Sequence, residues 1–187
     1  MKRLLPLATL LFAALAMPLM ANAAEEFTEA DVFPGIPAET VDINMYSAVA
    51  SDGQNITVFH RPPGSFGSWN IEAEFEAPLQ PDKFGPSSIA INRDGTMILL
   101  GLPDHTVGHS SAEAGVVAVL EKGAHGEWVK TDSLTLEYSD RQGSDHHFGK
   151  ELALAGDVLV VYGKYSQLDI FRLGSDGRWA RESKLIQ

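Results

Sequence analysis

The sequence predicts an all-β protein built from repeated antiparallel units. Three observations carry that expectation. Short apolar runs recur at close spacing, Gly, Pro, Asn and Asp stand between them, and no stretch shows the apolar spacing of an amphipathic helix. With 187 residues and 44% hydrophobic content, the chain suits one domain or one short repeat array.

Self-similarity orders the elements. Phe84-Gly85 aligns with Phe148-Gly149, and each pair opens the same succession. After the first, the run Ser88 to Asn92 turns at Asp94-Gly95 and continues from Met97 to Gly101. After the second, Glu151 to Ala155 turns at Gly156-Asp157 and continues from Val158 to Gly163. Both are hairpin patterns, because glycine beside aspartate permits the positive backbone angles of tight hairpin loops. A third strand follows at Gly115 to Leu120 and at Leu168 to Leu173, and each unit then reaches a glycine turn and a tryptophan, Trp128 and Trp179. The same ending occurs earlier, where Ile56 to His60 lead through Gly64 and Gly67 to Trp69. Three tryptophans thus mark about three four-stranded units. The first lacks a recognisable Phe-Gly strand and reads as incomplete, with strands two to four only. Phe84, Phe148 and the tryptophans are expected to pack between neighbouring sheets, and the glycines to let backbones approach closely.

These residues resemble the FG-GAP repeat of integrin-type β-propellers and many exported bacterial proteins. The likeness rests on the Phe-Gly opening, the apolar run closed by Gly101-Leu102-Pro103, the strand Gly115 to Val119 and the late tryptophan. It covers residues 43–187 and implies propeller-like blades of four short strands. A plain sandwich would explain the strands but not the recurrence of Phe-Gly and Trp in one order. Rings close with about four to eight blades, so about three blades from one chain leave sheet faces uncovered. Three solutions stay open: two copies complete a six-bladed ring, with Ile43 to Phe59 of one beside Phe148 to Leu185 of the other; an N-terminal arm caps an open array; or the chain is a shortened relative of a longer propeller. Integrin-type repeats bind calcium in long hairpin loops. The turns Asn92 to Gly95 and Gly156-Asp157 offer too few oxygens for an ion that takes six to eight, so calcium is not expected there.

The N-terminus reads as an address. Lys2 and Arg3 precede an apolar stretch from Leu4 to Met20, and Ala21-Asn22-Ala23 forms a small-x-small cleavage pattern. Residues 1–23 are therefore expected to be a signal peptide, leaving an acidic, proline-broken arm at 24–42 and the repeat domain at 43–187. The arm carries Phe27, Val32, Phe33 and Ile36 among its acids and is read as flexible or as a tie over a sheet edge. No later apolar run is long enough to span a bilayer, so no membrane span is expected after cleavage. The destination is the periplasm or the cell exterior.

A formal charge of -11 disfavours nucleic acid and anionic membranes as partners. The absence of cysteine excludes disulfides, thiolate metal sites, cysteine nucleophiles and a lipoprotein anchor. No Gly-x-Ser-x-Gly elbow, phosphate loop or His-Glu-x-x-His occurs, and no cofactor is expected.

Histidine supplies the one constellation of interest. Asp104, His105 and His109 lie in the loop after strand two of the middle unit, and Asp145, His146 and His147 lie in the loop leading into the last unit. In a four-stranded blade these two loops emerge on one face, so the groups can meet as a ligand-facing rim. Imidazoles with carboxylates suit zinc, copper or nickel, yet polar loops also carry histidines that are merely solvated. The leading expectation is a non-enzymatic binding or assembly module, with the protein or extracellular ligand unspecified and a homo-oligomer possible. A small metal-dependent or hydrolytic exported enzyme using the rim, and a structural subunit of a larger complex, are the alternatives.

Export generates the first prediction. Protein recovered from a Gram-negative periplasm will begin at Ala24, and N-terminal sequencing of that material is the check; retention of Met1 to Leu10 would contradict it.

Overall fold

A computed structural model describes residues 39–64, 69–78, 84–107, 113–136, 145–164 and 167–186. The expected signal peptide, the arm up to residue 38 and His109 lie outside the described residues. Among the described residues, twelve strands form three four-stranded antiparallel sheets, each a simple up-and-down meander in chain order. The first sheet holds β1 (Thr40–Ile43), β2 (Ser47–Ser51), β3 (Asn55–His60) and β4 (Asn70–Glu76). The second holds β5 (Ser88–Ile91), β6 (Met97–Leu102), β7 (Val116–Lys122) and β8 (Trp128–Leu134). The third holds β9 (Glu151–Ala155), β10 (Val158–Tyr162), β11 (Gln167–Leu173) and β12 (Trp179–Ile186).

The first unit is therefore complete, which corrects the expectation of strands two to four only. Its innermost strand is β1, and the expected boundary between residues 42 and 43 falls inside it. The strand was hidden because Thr40-Val41-Asp42-Ile43 carries only two apolar residues, and partners far along the chain hold it. Val41 pairs with Ala50 and Ile43 with Ala48. Toward the second sheet, the Asp42 carboxylate accepts the Ile91 N–H at 2.8 Å, and the Asn44 side-chain amide donates to the Asn92 carbonyl at 2.7 Å.

The repeat extends to irregularities. The pairing of third with fourth strands slips at Val58/Phe59, at Val119/Leu120 and at Ile170/Phe171, a bulge at the same place in each sheet. Bulges sharpen local twist, so three matching ones give three blades of matching shape. The turns before Trp128 and Trp179 match as well: Gly126 donates its N–H to Gly123, and Gly177 to Gly174, each at 3.0 Å. All three tryptophan indole nitrogens are buried without a hydrogen-bond partner among the described residues, so these rings serve as packing groups.

Two cores lie between the three sheets. Val49, Ile56 and Val58 of the first sheet meet Ile89, Ile98, Leu100 and Leu120 of the second, with Phe75 stacked on Trp128 at 6.3 Å. Leu99, Val117 and Val119 on the opposite side of the second sheet meet Leu159, Val161 and Phe171 of the third. The middle sheet is thus covered on both faces, and every residue of β6 is buried. That explains its uninterrupted Met-Ile-Leu-Leu-Gly-Leu run, since a strand with two buried faces has no reason to alternate.

The two Phe-Gly pairs diverge at phenylalanine. Phe148 is 1% exposed and meets Phe171 edge to face at 5.9 Å, whereas Phe84 is 79% exposed. The expectation that both rings pack between sheets is corrected for Phe84. The glycines do share a role: a Cβ on Gly85 would lie 1.8 Å from the Gly53 carbonyl oxygen, and one on Gly101 would lie 1.9 Å from that of Gly149. At both junctions, backbone runs directly against backbone.

The burial difference sets a stability prediction. Phe148→Ala will cost about 3–5 kcal/mol, as large-to-small changes in packed cores do, while Phe84→Ala will stay within about 0.5 kcal/mol of the parent. Urea titrations of the two variants beside the parent measure both.

Candidate functional site

The rim forms where the β6–β7 loop meets the β8–β9 connection. Leu102 pairs with Val116 at the base of the first loop, which brings Asp104 and Glu113 toward each other across it. The second loop is stitched to the first by main chain. The His147 N–H donates to the Glu113 carbonyl at 3.1 Å and the Phe148 N–H to the Ala114 carbonyl at 3.0 Å, and Gly115 and Phe148 form a parallel bridge. The Asp145 carboxylate accepts the Glu113 N–H at 3.0 Å. Buried Phe148 anchors this connection from below, so the rim rests on the core between the second and third sheets.

The structure brings together some of the residues singled out from the sequence and separates others. His147 Nδ1 stands 3.3 Å from Asp104 Oδ1, both side chains about one-quarter exposed. Asp145 acts on the loop backbone, as above. His105 is 3% exposed and lies within the fold, its carbonyl accepting the Gly115 N–H at 2.9 Å. His146 turns to the other side, lining a tight recess with Leu136, Gly163, Lys164 and Asp169, and its carbonyl accepts the Lys164 N–H at 2.6 Å. The divergence of the two neighbours has a backbone cause. His147 has φ of 48°, the one non-glycine residue with positive φ among the described residues, and such left-handed backbone turns its side chain away from the run of the chain.

Glu113 is the residue that sequence reasoning missed. One ligand-type atom each from Asp104, Glu113 and His147 lies within 4.8 Å of the others. The signal that could have found it is hairpin register: with Gly101 to Leu102 as one arm and Val116 to Val117 as the other, residues a few positions past each arm face one another.

The hairpin turns at the opposite end of the sheets have their side-chain oxygens engaged, by backbone at Asn92 and by an arginine at Asp157. Asn92 Oδ1 accepts the N–H groups of Thr96 and Met97 at 2.8 and 3.0 Å. Asp157 is bound by Arg172 at 2.9 Å, which lowers its carboxyl below the ordinary range, and Arg172 also reaches Glu182. At the rim end of the first sheet, Asp52 caps the β2–β3 turn by accepting the Asn55 and Gln54 N–H groups, and those bonds lower its carboxyl too. A lowered carboxyl stabilises the fold above its unfolded value near 3.8 and ceases to do so as pH falls through the folded value. At the end opposite the rim a cleft of about 370 Å³ opens between the first and second sheets, lined by Tyr46, His60, Arg93 and the ion-paired Glu72 and Lys122.

Comparisons with known proteins bear on the fold. No protein-family model matches the chain. No curated protein matches its sequence. Solved structures do match: a proposed 6-phosphogluconolactonase from Bacteroides fragilis, with TM-score 0.54, 14% identity and coverage of 78% of this chain and 38% of that one. The fold is β-propeller-like. A protein from Lactobacillus plantarum matches with TM-score 0.52 and 13% identity over 80% of this chain and 42% of that one. Hsv2 from Kluyveromyces marxianus matches with TM-score 0.51 and 13% identity over 81% of this chain and 49% of that one. The chain thus spans less than half the length of these propeller-like proteins. The likeness supports propeller-like blades in general and does not single out the FG-GAP repeat.

The stitched loops generate a dynamic prediction. Asp145→Ala removes the acceptor of the Glu113 N–H, and hydrogen exchange at that amide will quicken at least tenfold, while exchange in β6 stays unchanged. Mass-resolved exchange of peptides covering 113–118 and 97–102 reads both.

Proposed function

We propose that the protein is an exported, non-enzymatic assembly module of three FG-GAP-like blades, which docks through the outer face of its third sheet. The observation that supports this is the contrast between the two sides of that sheet. Leu159, Val161 and Phe171 face the core and are buried, whereas Val158, Val160, Tyr162, Leu168 and Ile170 on the other side are only half-buried, and Leu185 beside them is 53% exposed. This side has the apolar character of a blade-to-blade surface but no blade against it among the described residues.

The occupant we assign is the same face of a second copy, in a two-fold pairing of sheet on sheet. A head-to-tail ring would instead need the outer face of the first sheet. There Ala48, Ala50 and Phe59 are already 0–1% exposed, and apolar exposure is confined to the margins at Val41, Ile43 and Ile71. The two-fold pairing leaves the histidine and carboxylate rim at the loop ends, where it stays open to solvent.

Sedimentation or light scattering on signal-free protein at tens of micromolar will give twice the chain mass. Val160→Lys with Ile170→Lys will give a folded monomer, and Ile43→Lys with Ile71→Lys will remain dimeric. Loss of the dimer in both double variants would point to the head-to-tail ring, and a parent that is monomeric throughout would overturn the assembly reading.

A further inference from the structure

We propose that Asp104, Glu113 and His147 bind one divalent transition-metal ion of the zinc class. This does not depend on how copies associate. The three side chains come from two loops, and one ligand-type atom from each lies within 4.8 Å of the other two. A tetrahedral ion with bonds of about 2.0–2.1 Å to nitrogen and oxygen separates its ligands by about 3.3–3.4 Å. His147 Nδ1 and Asp104 Oδ1 stand 3.3 Å apart, at that edge length and longer than the roughly 2.7–2.9 Å of a charge-assisted hydrogen bond. A swing of at most about 1.5 Å brings the Glu113 carboxylate to the same edge.

The donor set selects the ion. One imidazole and two carboxylates suit zinc, nickel or manganese, whereas calcium takes six to eight oxygens. The two carboxylates balance the charge of a divalent cation, and three protein ligands leave a fourth position for water or a ligand group. The main chain holds the set in place before any ion arrives. His147 donates its N–H to the carbonyl of Glu113, Asp145 fixes the Glu113 N–H, and the left-handed backbone at His147 aims its ring at Asp104. At about one-quarter exposure, Asp104 and His147 are reachable from solvent without being fully hydrated.

The test uses tag-free, chelator-stripped protein titrated with zinc alone, followed by calorimetry and thermal melting. One ion per chain and a rise in melting temperature are expected. His147→Asn and Asp104→Asn should each weaken binding at least tenfold, asparagine being chosen at 147 because it tolerates the left-handed backbone there. His125→Ala, in a distant turn, should bind as the parent does. In the parent itself, zinc should shift the imidazole resonances of His147, a readout that requires no variant to fold. No zinc uptake by the parent, full affinity in the Asp104→Asn/His147→Asn double variant, or resonance shifts confined to other histidines would each overturn the site.

Discussion

The close passage of the backbone at Gly149 against Gly101 sets the geometry on which the rest of the protein depends. Sheets that meet through side chains alone stand about 10 Å apart. At this junction there is no room for even a Cβ, and the Ser88 hydroxyl donates to the Gly149 carbonyl at 2.9 Å across the gap. Blades therefore converge at this edge and diverge where the larger side chains sit, the wedge shape that propeller-like packing requires. Gly85 against Gly53 repeats the device at the other junction.

That wedge explains the burial pattern. The middle sheet has a neighbour on both sides and carries apolar residues on both, while the third sheet alternates because only one side is covered. The carboxylate buried in the third sheet enters the core with partners. Asp169, 1% exposed, receives the Gln167 side-chain amide at 2.6 Å and is ion-paired with Arg181. An unpaired carboxylate at that depth would be strongly destabilising, so strand β12 contributes a charge partner as well as an edge.

The rim inherits its order from the same contact. Phe148 fills the core just before Gly149 turns, so the residues preceding it cannot wander, and the left-handed backbone at His147 separates its ring from that of His146. A loop pinned by a buried aromatic, by two backbone hydrogen bonds to its neighbour and by the Asp145 carboxylate on the Glu113 N–H presents side chains with far less freedom than an ordinary surface loop.

The sequence by itself determined the strands of the second and third units, the turns that join them, and the loops whose ends meet at the rim. Apolar period and turn chemistry are local, and a meander connects neighbours in order, so nothing distant was needed to read them. Tertiary structure decided the rest. It completed the first sheet with β1, a strand with two apolar residues that is held by Val49, Ala50 and the backbone of Ile91. It buried Phe148 and left Phe84 in solvent, although both precede a glycine at a blade junction, because a ring partner stands beside only one of them. It withdrew His105 into the fold, turned His146 away and put Glu113 beside Asp104 and His147. Composition shows which loops carry ligand-type groups, but which of them converge depends on backbone angles and cross-loop hydrogen bonds that exist only once the blades have packed.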